Sequence, residues 1–123
     1  MHAQKNLSLS SRMRFALSGL VHGLRSERSL RTQAAAALIV LAVLALLRAP
    51  PLWWALVIGS SAAVLAAELF NTAIERLADH LHPELHPQIR IVKNCAAAAV
   101  LCCALGAIGV AIALLVEWLH RAP

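Results

Sequence analysis

LWWALVIGSSAAVLAAELFNTAIERLAD, residues 52–79, runs from sixteen uncharged, mostly apolar residues, Leu52 to Ala67, straight into a polar series: Glu68, Asn71, Glu75 and Asp79. The spacings are three, four and four. On a helix turning about 100° per residue these four side chains share an arc of about 80°, stacked over three turns. An acid at the end of a membrane-length apolar stretch is costly to desolvate and marks a functional site by default. Snorkelling or pairing accounts for one such acid standing alone. It does not account for three carboxylates and a carboxamide aligned on one face, because a merely structural helix gains nothing from them. The face leads from the membrane edge toward water, as a site joining a lipid to a charged, metal-bound cosubstrate requires.

The rest of the chain fits a membrane setting. Of its 123 residues 60% are hydrophobic and 14% charged, against about 45–50% and about 25% in soluble domains. The length suits one domain. Three apolar segments carry the excess: Ala34–Leu47, Leu52–Ala67 and Cys95–Val116. The third has 22 residues, enough to cross a hydrocarbon core about 30 Å thick. The second reaches that length when its helix continues to Asn71. The first has fourteen residues and spans when Arg31 to Gln33 and Arg48 join the helix ends and snorkel. The alternative, a soluble Ala-rich bundle, leaves the polar face unexplained. The expected fold is all-α, an amphipathic surface helix followed by three transmembrane helices. The divisions are 1–31 (surface helix and flank), 32–48 (first span), 52–79 (second span with a cytoplasmic extension), 80–93 (cytoplasmic loop) and 94–118 (third span).

Charge asymmetry orients these spans. Lys5, Arg12, Arg14, Arg25, Arg28 and Arg31 precede the first span against one acid, Glu27, and Arg76, Arg90 and Lys93 flank or fill the second link. The first link has Arg48 alone and the tail Arg121 alone. The N-terminus and second link are therefore expected in the cytoplasm and the C-terminus outside, with Trp53, Trp54 and Trp118 at the outer interface. Residues 8–28 read as a helix in the headgroup plane, with Met13, Leu17, Leu20 and Leu24 forming its apolar stripe. No cleaved secretory leader is expected, since the segment before the first span is amphipathic. Pro50-Pro51 makes the outer turn and pre-sets the start of the second span. The His- and Pro-rich residues 80–87 break the helix after Asp79. Small residues recur every fourth position in the third span, at Ala99, Cys103, Ala107 and Ala111, permitting close helix approach. Cys95, Cys102 and Cys103 all lie in that span and read as small packing residues rather than a disulfide framework.

Membrane-edge carboxylates have raised proton affinity and accept protons, and Mg²⁺ typically takes one or two carboxylates plus phosphate oxygens. Phosphorylation of a hydroxyl needs both. Glu27 is the second acid of interest, at the junction of surface helix and first span; its simplest reading is an ion pair with Arg28 or Arg31. Lys93 opens the third span, where its simplest reading is positive-inside anchoring. A metal-bound nucleotide would engage both. The chain has neither a GxxxxGK[ST] loop nor a GxGxxG turn, so a nucleotide site must be built from helix faces. His80, His82 and His86 lack zinc-type spacing and cysteine partners. Nucleic acid is not an expected partner, because the basic residues belong to the membrane flank and aromatic interleaving is absent.

The block Glu68-Leu69-Phe70-Asn71-Thr72-Ala73-Ile74-Glu75, followed by Asp79 and by Lys93-Asn94-Cys95-Ala96-Ala97-Ala98-Ala99-Val100-Leu101, resembles the signature of the small prokaryotic diacylglycerol kinases and the related undecaprenol kinases. Ser26-Glu27-Arg28-Ser29-Leu30-Arg31, with Gly19 upstream, is similar to that family's first acidic motif, and the likeness runs roughly from residue 14 to 118. The resemblance implies an inner-membrane homotrimer that transfers the γ-phosphate of ATP to a lipid hydroxyl with Mg²⁺. It implies Glu68 as catalytic base, Glu27 and Glu75 as metal and nucleotide ligands, and Asn71 and Arg31 in the active-site wall or lipid contact. Lys93 would meet the nucleotide phosphates, with Phe15, Glu84, His86 and Asn94 also at the nucleotide. The site would form at a subunit boundary. Two departures stand out. Asn94 follows Lys93 where the family usually has Asp, and Phe15 stands where some members carry tyrosine. Asn lacks the charge for a charge-assisted acceptor bond, so reduced activity is expected.

Overall fold

A computed structural model of the chain describes residues 7–122. Lys5, one of the orienting charges, lies outside them. Four helices account for almost all of the described residues: α1 (Leu9–Ser26), α2 (Arg28–Leu46), α3 (Pro51–Leu81) and α4 (Pro87–Arg121). None of the described residues forms a strand. The last three helices are long and apolar enough to cross a membrane. At about 1.5 Å per residue, the 31 residues of α3 and 35 of α4 extend over about 46 and 52 Å. A hydrocarbon core of about 30 Å therefore leaves a turn or more of each in the headgroups or water, and on α3 the polar ladder occupies that end.

Each boundary has a local cause. Ser8 caps α1, its hydroxyl accepting from the Ser11 amide at 3.4 Å. The chain then breaks at a single residue, Glu27, in extended conformation (φ −109°, ψ 117°), before α2 restarts at Arg28. Arg31 secures the break. Its Nη1 donates to the carbonyls of Leu24 and Arg25, both at 3.0 Å, two of the carbonyls a helix end leaves open. Residues 28–31, placed with the surface flank by composition, thus belong to the first spanning helix. At its other end α2 closes in a Schellman motif. The Ala49 amide bonds the Leu44 carbonyl at 3.0 Å and the Arg48 amide bonds Ala45 at 3.2 Å. Arg48 takes the left-handed conformation (φ 49°) that glycine usually fills. Pro51 then opens α3, in the first-turn position where its missing N–H costs nothing. Pro87 does the same for α4, where the His86 ring accepts from the Gln88 amide at 3.2 Å. For this reason α4 starts seven residues before position 94, and the linker after Leu81 is only 82–86.

α3 is the central helix, packed along α4 and α2, while α1 touches α2 and α3. The densest packing lies at the Pro50 end, where Leu44, Trp53, Val57 and Leu114 form a cluster with Leu44 fully buried. Trp53 is packed into the bundle at this end, and its polar edge has a partner there. Its indole Nε1 donates to Glu117 Oε2 at 2.9 Å, and Glu117 is also ion-paired with Arg121. Outward-facing side chains of α4, among them Leu101, Leu105, Ile108, Ile112 and Leu115, are more than half exposed in the single chain. That surface suits lipid or a neighbouring helix. On α1, Leu9, Met13, Phe15 and Leu17 are similarly exposed.

Candidate active site

The four polar residues of α3 share one face, and their burial falls step by step along it. Glu68 is buried (6% exposed), Asn71 and Glu75 are half-buried, and Asp79 is exposed. Glu68 is the one buried charged side chain among the described residues. A buried carboxylate needs a hydrogen-bond partner, and Ser29 of α2 supplies it, donating from Oγ to Oε2 at 3.0 Å. One turn on, Asn71 Nδ2 donates to Glu75 Oε1 at 3.3 Å. Its carbonyl oxygen Oδ1 is buried without any partner, a state that native structures rarely tolerate unless a ligand or water completes it. At the far end Asp79 accepts from Lys93 Nζ, tying α4 to α3.

α1 brings in the remaining acid. Its last turn lies so close to α3 that Gly23 has no room for a side chain: a Cβ there would sit 2.8 Å from Leu69 Cδ2 and 2.9 Å from Leu30 Cδ2. This approach sets Glu27 beside Arg76 of α3, Oε1 to Nη2 at 3.2 Å, and Arg76 Nη1 beside His22 Nε2 at 2.6 Å. Glu27 thus pairs with Arg76, not with the neighbouring Arg28 or Arg31. Its Oε1 also accepts from Ser26 at 3.2 Å. Gly19, the glycine of the sequence motif, has nothing within 4 Å of a built Cβ.

The other candidates stand apart from this cluster. Phe15 is exposed on α1 under the Arg14 guanidinium, 5.9 Å from its ring centroid. Glu84 and His86 are exposed in the 82–86 linker, where His86 caps α4 and His82 Nδ1 lies 3.2 Å from the Glu84 carbonyl oxygen. Asn94 is exposed next to Lys93. Arg31 serves the α1–α2 break described above. Sequence reasoning passed over Ser29, Arg76 and Gly23. Only the tertiary contacts single them out, since none of them belongs to the α3 ladder.

The donor chemistry suits a hard cation. Glu75, Glu27 and the orphaned Asn71 oxygen offer oxygen ligands, the type Mg²⁺ takes. Among the described residues no three His, Cys, Asp or Glu side chains close into a cage. Near Glu68, on the membrane side, lies an open groove of about 230 Å³ lined by Gln33, Ala36, Val40, Val57, Ser60, Val64 and small residues of α4. Gln33 is one turn from Ser29 and Val64 one turn from Glu68, so the groove ends one helical turn short of the carboxylate. It runs along α2 and α3 for about 10 Å.

These features define a helical membrane protein with a carboxylate site on its longest apolar-to-polar helix face, on α3. The family model for prokaryotic diacylglycerol kinase matches residues 14–115. The chain belongs to the prokaryotic diacylglycerol kinase family. It is 31% identical over 96 residues to a diacylglycerol kinase of Synechocystis sp. (strain ATCC 27184 / PCC 6803 / Kazusa), an alignment covering 77% of this chain and 55% of that relative. The chain thus spans about half the length of the curated relative it matches.

Proposed function

We propose that the protein phosphorylates a membrane-lipid hydroxyl with ATP, converting diacylglycerol to phosphatidic acid. The observation that carries this reading is the buried Glu68 carboxylate, held by Ser29 at the head of a polar ladder and one helical turn beyond the last α3 residue of an apolar groove. A lipid whose chain lies in that groove presents its hydroxyl to Glu68. Glu68 takes the hydroxyl proton as the oxygen attacks the γ-phosphorus in line; the bond to the β-phosphate oxygen breaks and ADP leaves. Such catalysis is mostly positioning and electrostatics. Lys93 would trade Asp79 for the nucleotide phosphates, with Phe15, Glu84, His86 and Asn94 around the nucleotide and Arg31 and Asn71 bounding the acceptor. Glu75 and Glu27 would hold Mg²⁺, which supplies charge neutralisation at the phosphates. α1 would lie in the headgroup plane. The protein would work as a homotrimer in the bacterial inner membrane, N-terminus in the cytoplasm and C-terminus outside, each site completed at a subunit boundary.

Undecaprenol is the competing acceptor, favoured by the Ser26-Glu27-Arg28-Ser29 stretch. A silent family member is the other alternative, favoured by Asn94. Mg·ATP-dependent phosphorylation in mixed micelles, offering dioleoylglycerol and undecaprenol separately, tests all three. Glu68→Gln is expected to lose about 10²–10⁴-fold in rate while remaining folded. Transfer to undecaprenol alone reassigns the acceptor. Transfer to neither lipid by folded wild-type protein sinks the kinase reading.

A further inference from the structure

Ser29 has no packing role that explains its contact with Glu68. It is exposed on the first turn of α2, two residues past the Glu27 break, and its hydroxyl donates to a carboxylate on α3 rather than to its own helix. Thr32, on the same helix, shows the local alternative: its hydroxyl bonds back to the Arg28 carbonyl at 3.1 Å. Glu68 in turn has no other hydrogen-bonded partner among the described residues. One hydroxyl therefore orients the single buried acid among the described residues. Because it engages Oε2, it leaves Oε1 to accept a proton.

Resting on the kinase reading above, we propose that Ser29 is a positioning residue for the proton-accepting carboxylate, locking the Glu68 rotamer through Oε2 so that Oε1 meets the acceptor hydroxyl. A hydrogen bond to an ionised group from a fixed donor stabilises both its charge and its direction. Truncating Ser29 removes the one donor to a buried carboxylate and little packing, so turnover falls, the unfolding midpoint drops modestly and substrate binding is kept.

The test is steady-state lipid phosphorylation by full-length wild type, Ser29→Ala, Ser29→Thr, Glu68→Asp and the double variant Ser29→Ala/Glu68→Asp, each with a thermal unfolding midpoint in detergent. Ser29→Ala is expected to lower kcat about 10-fold or more, the scale of one hydrogen bond to a charged group. Its KM for ATP and for lipid should stay within about twofold, which separates a turnover role from a binding one; its midpoint should fall modestly, because Glu68 is left without a partner. Ser29→Thr keeps the hydroxyl and is expected to recover turnover. Glu68→Asp draws the carboxylate back by one methylene, out of reach, so adding Ser29→Ala should cost nothing further; coupled residues are non-additive in this way. Wild-type turnover in Ser29→Ala overturns the inference, and so does an equal Ser29→Ala loss in the Glu68→Asp background. Either result in an active wild type leaves the kinase reading standing, whereas an inactive, folded wild type removes both.

Discussion

Gly23→Ala tests the claim that α1 is seated against α3 to assemble the site. The added Cβ would lie 2.8 Å from Leu69 Cδ2 and 2.9 Å from Leu30 Cδ2, whereas carbon atoms rest at about 3.5–4.0 Å. Leu30 is 1% exposed and tightly held, whereas Leu69 is half-buried, so the contact is relieved by rotation of Leu69 or by a retreat of α1 of up to about 1 Å. Overpacking of this kind costs about 1–3 kcal/mol, offset by about 1 kcal/mol of helix propensity when Ala replaces Gly. The net loss of stability is thus small. The geometric effect is larger. A retreat of about 1 Å takes the Glu27–Arg76 contact, now 3.2 Å, out of hydrogen-bond range and drags the break that sets Ser29. Misplacement on this scale can cost about 10²-fold in rate. Lipid phosphorylation in mixed micelles at saturating Mg·ATP, with thermal unfolding in the same detergent, is expected to show a 10- to 10²-fold loss of turnover beside a nearly unchanged midpoint. Gly19→Ala is the matched control; with open space at its Cβ it should gain up to about 1 kcal/mol of helix stability and keep its rate. Equal losses in the two variants, or full activity in Gly23→Ala, would refute the close approach as the organising contact.

Asn94→Asp is expected to raise turnover by restoring a charged acceptor beside Lys93, read as initial rate against ATP concentration; equal rates would dismiss Asn94 as a weakness. Trp53→Phe removes the Nε1–Glu117 bond at the end of the bundle opposite the ladder. It should lower stability by about 1 kcal/mol and leave kinase turnover intact, as measured by SDS titration beside the micelle assay. Arg48→Gly relieves a left-handed residue in the α2–α3 turn and should raise the unfolding free energy by about 1 kcal/mol, visible in the same titration.

Much of this molecule was legible in one dimension. Apolar run lengths and the Pro50-Pro51 position announced three helices of membrane-spanning length, because segment length and backbone chemistry are local properties; the start of α4 at Pro87 was missed, residues 80–93 having been read as a loop. The α3 ladder was equally plain, since helical periodicity alone aligns Glu68, Asn71, Glu75 and Asp79 on one face. Span ends were read less well. Arg28–Arg31 looked like a basic flank, yet Arg31 bonds back to the α1 carbonyls, and charge count carries no information about that fold-back. The bond from Trp53 Nε1 to Glu117, 64 residues later, was not legible either, because it joins two helices.

The sequence by itself determined the helical class, the membrane-length segments and the line of carboxylates, all consequences of composition and a period of about 3.6 residues. Only the tertiary structure decided which groups those carboxylates face: Ser29 on Glu68, Arg76 on Glu27, Lys93 on Asp79, and the groove that opens near Glu68. Each of these joins residues from different helices. Such pairings depend on how closely the helices approach, and at Gly23 the missing side chain leaves room for the Leu69 and Leu30 side chains to pack against α1.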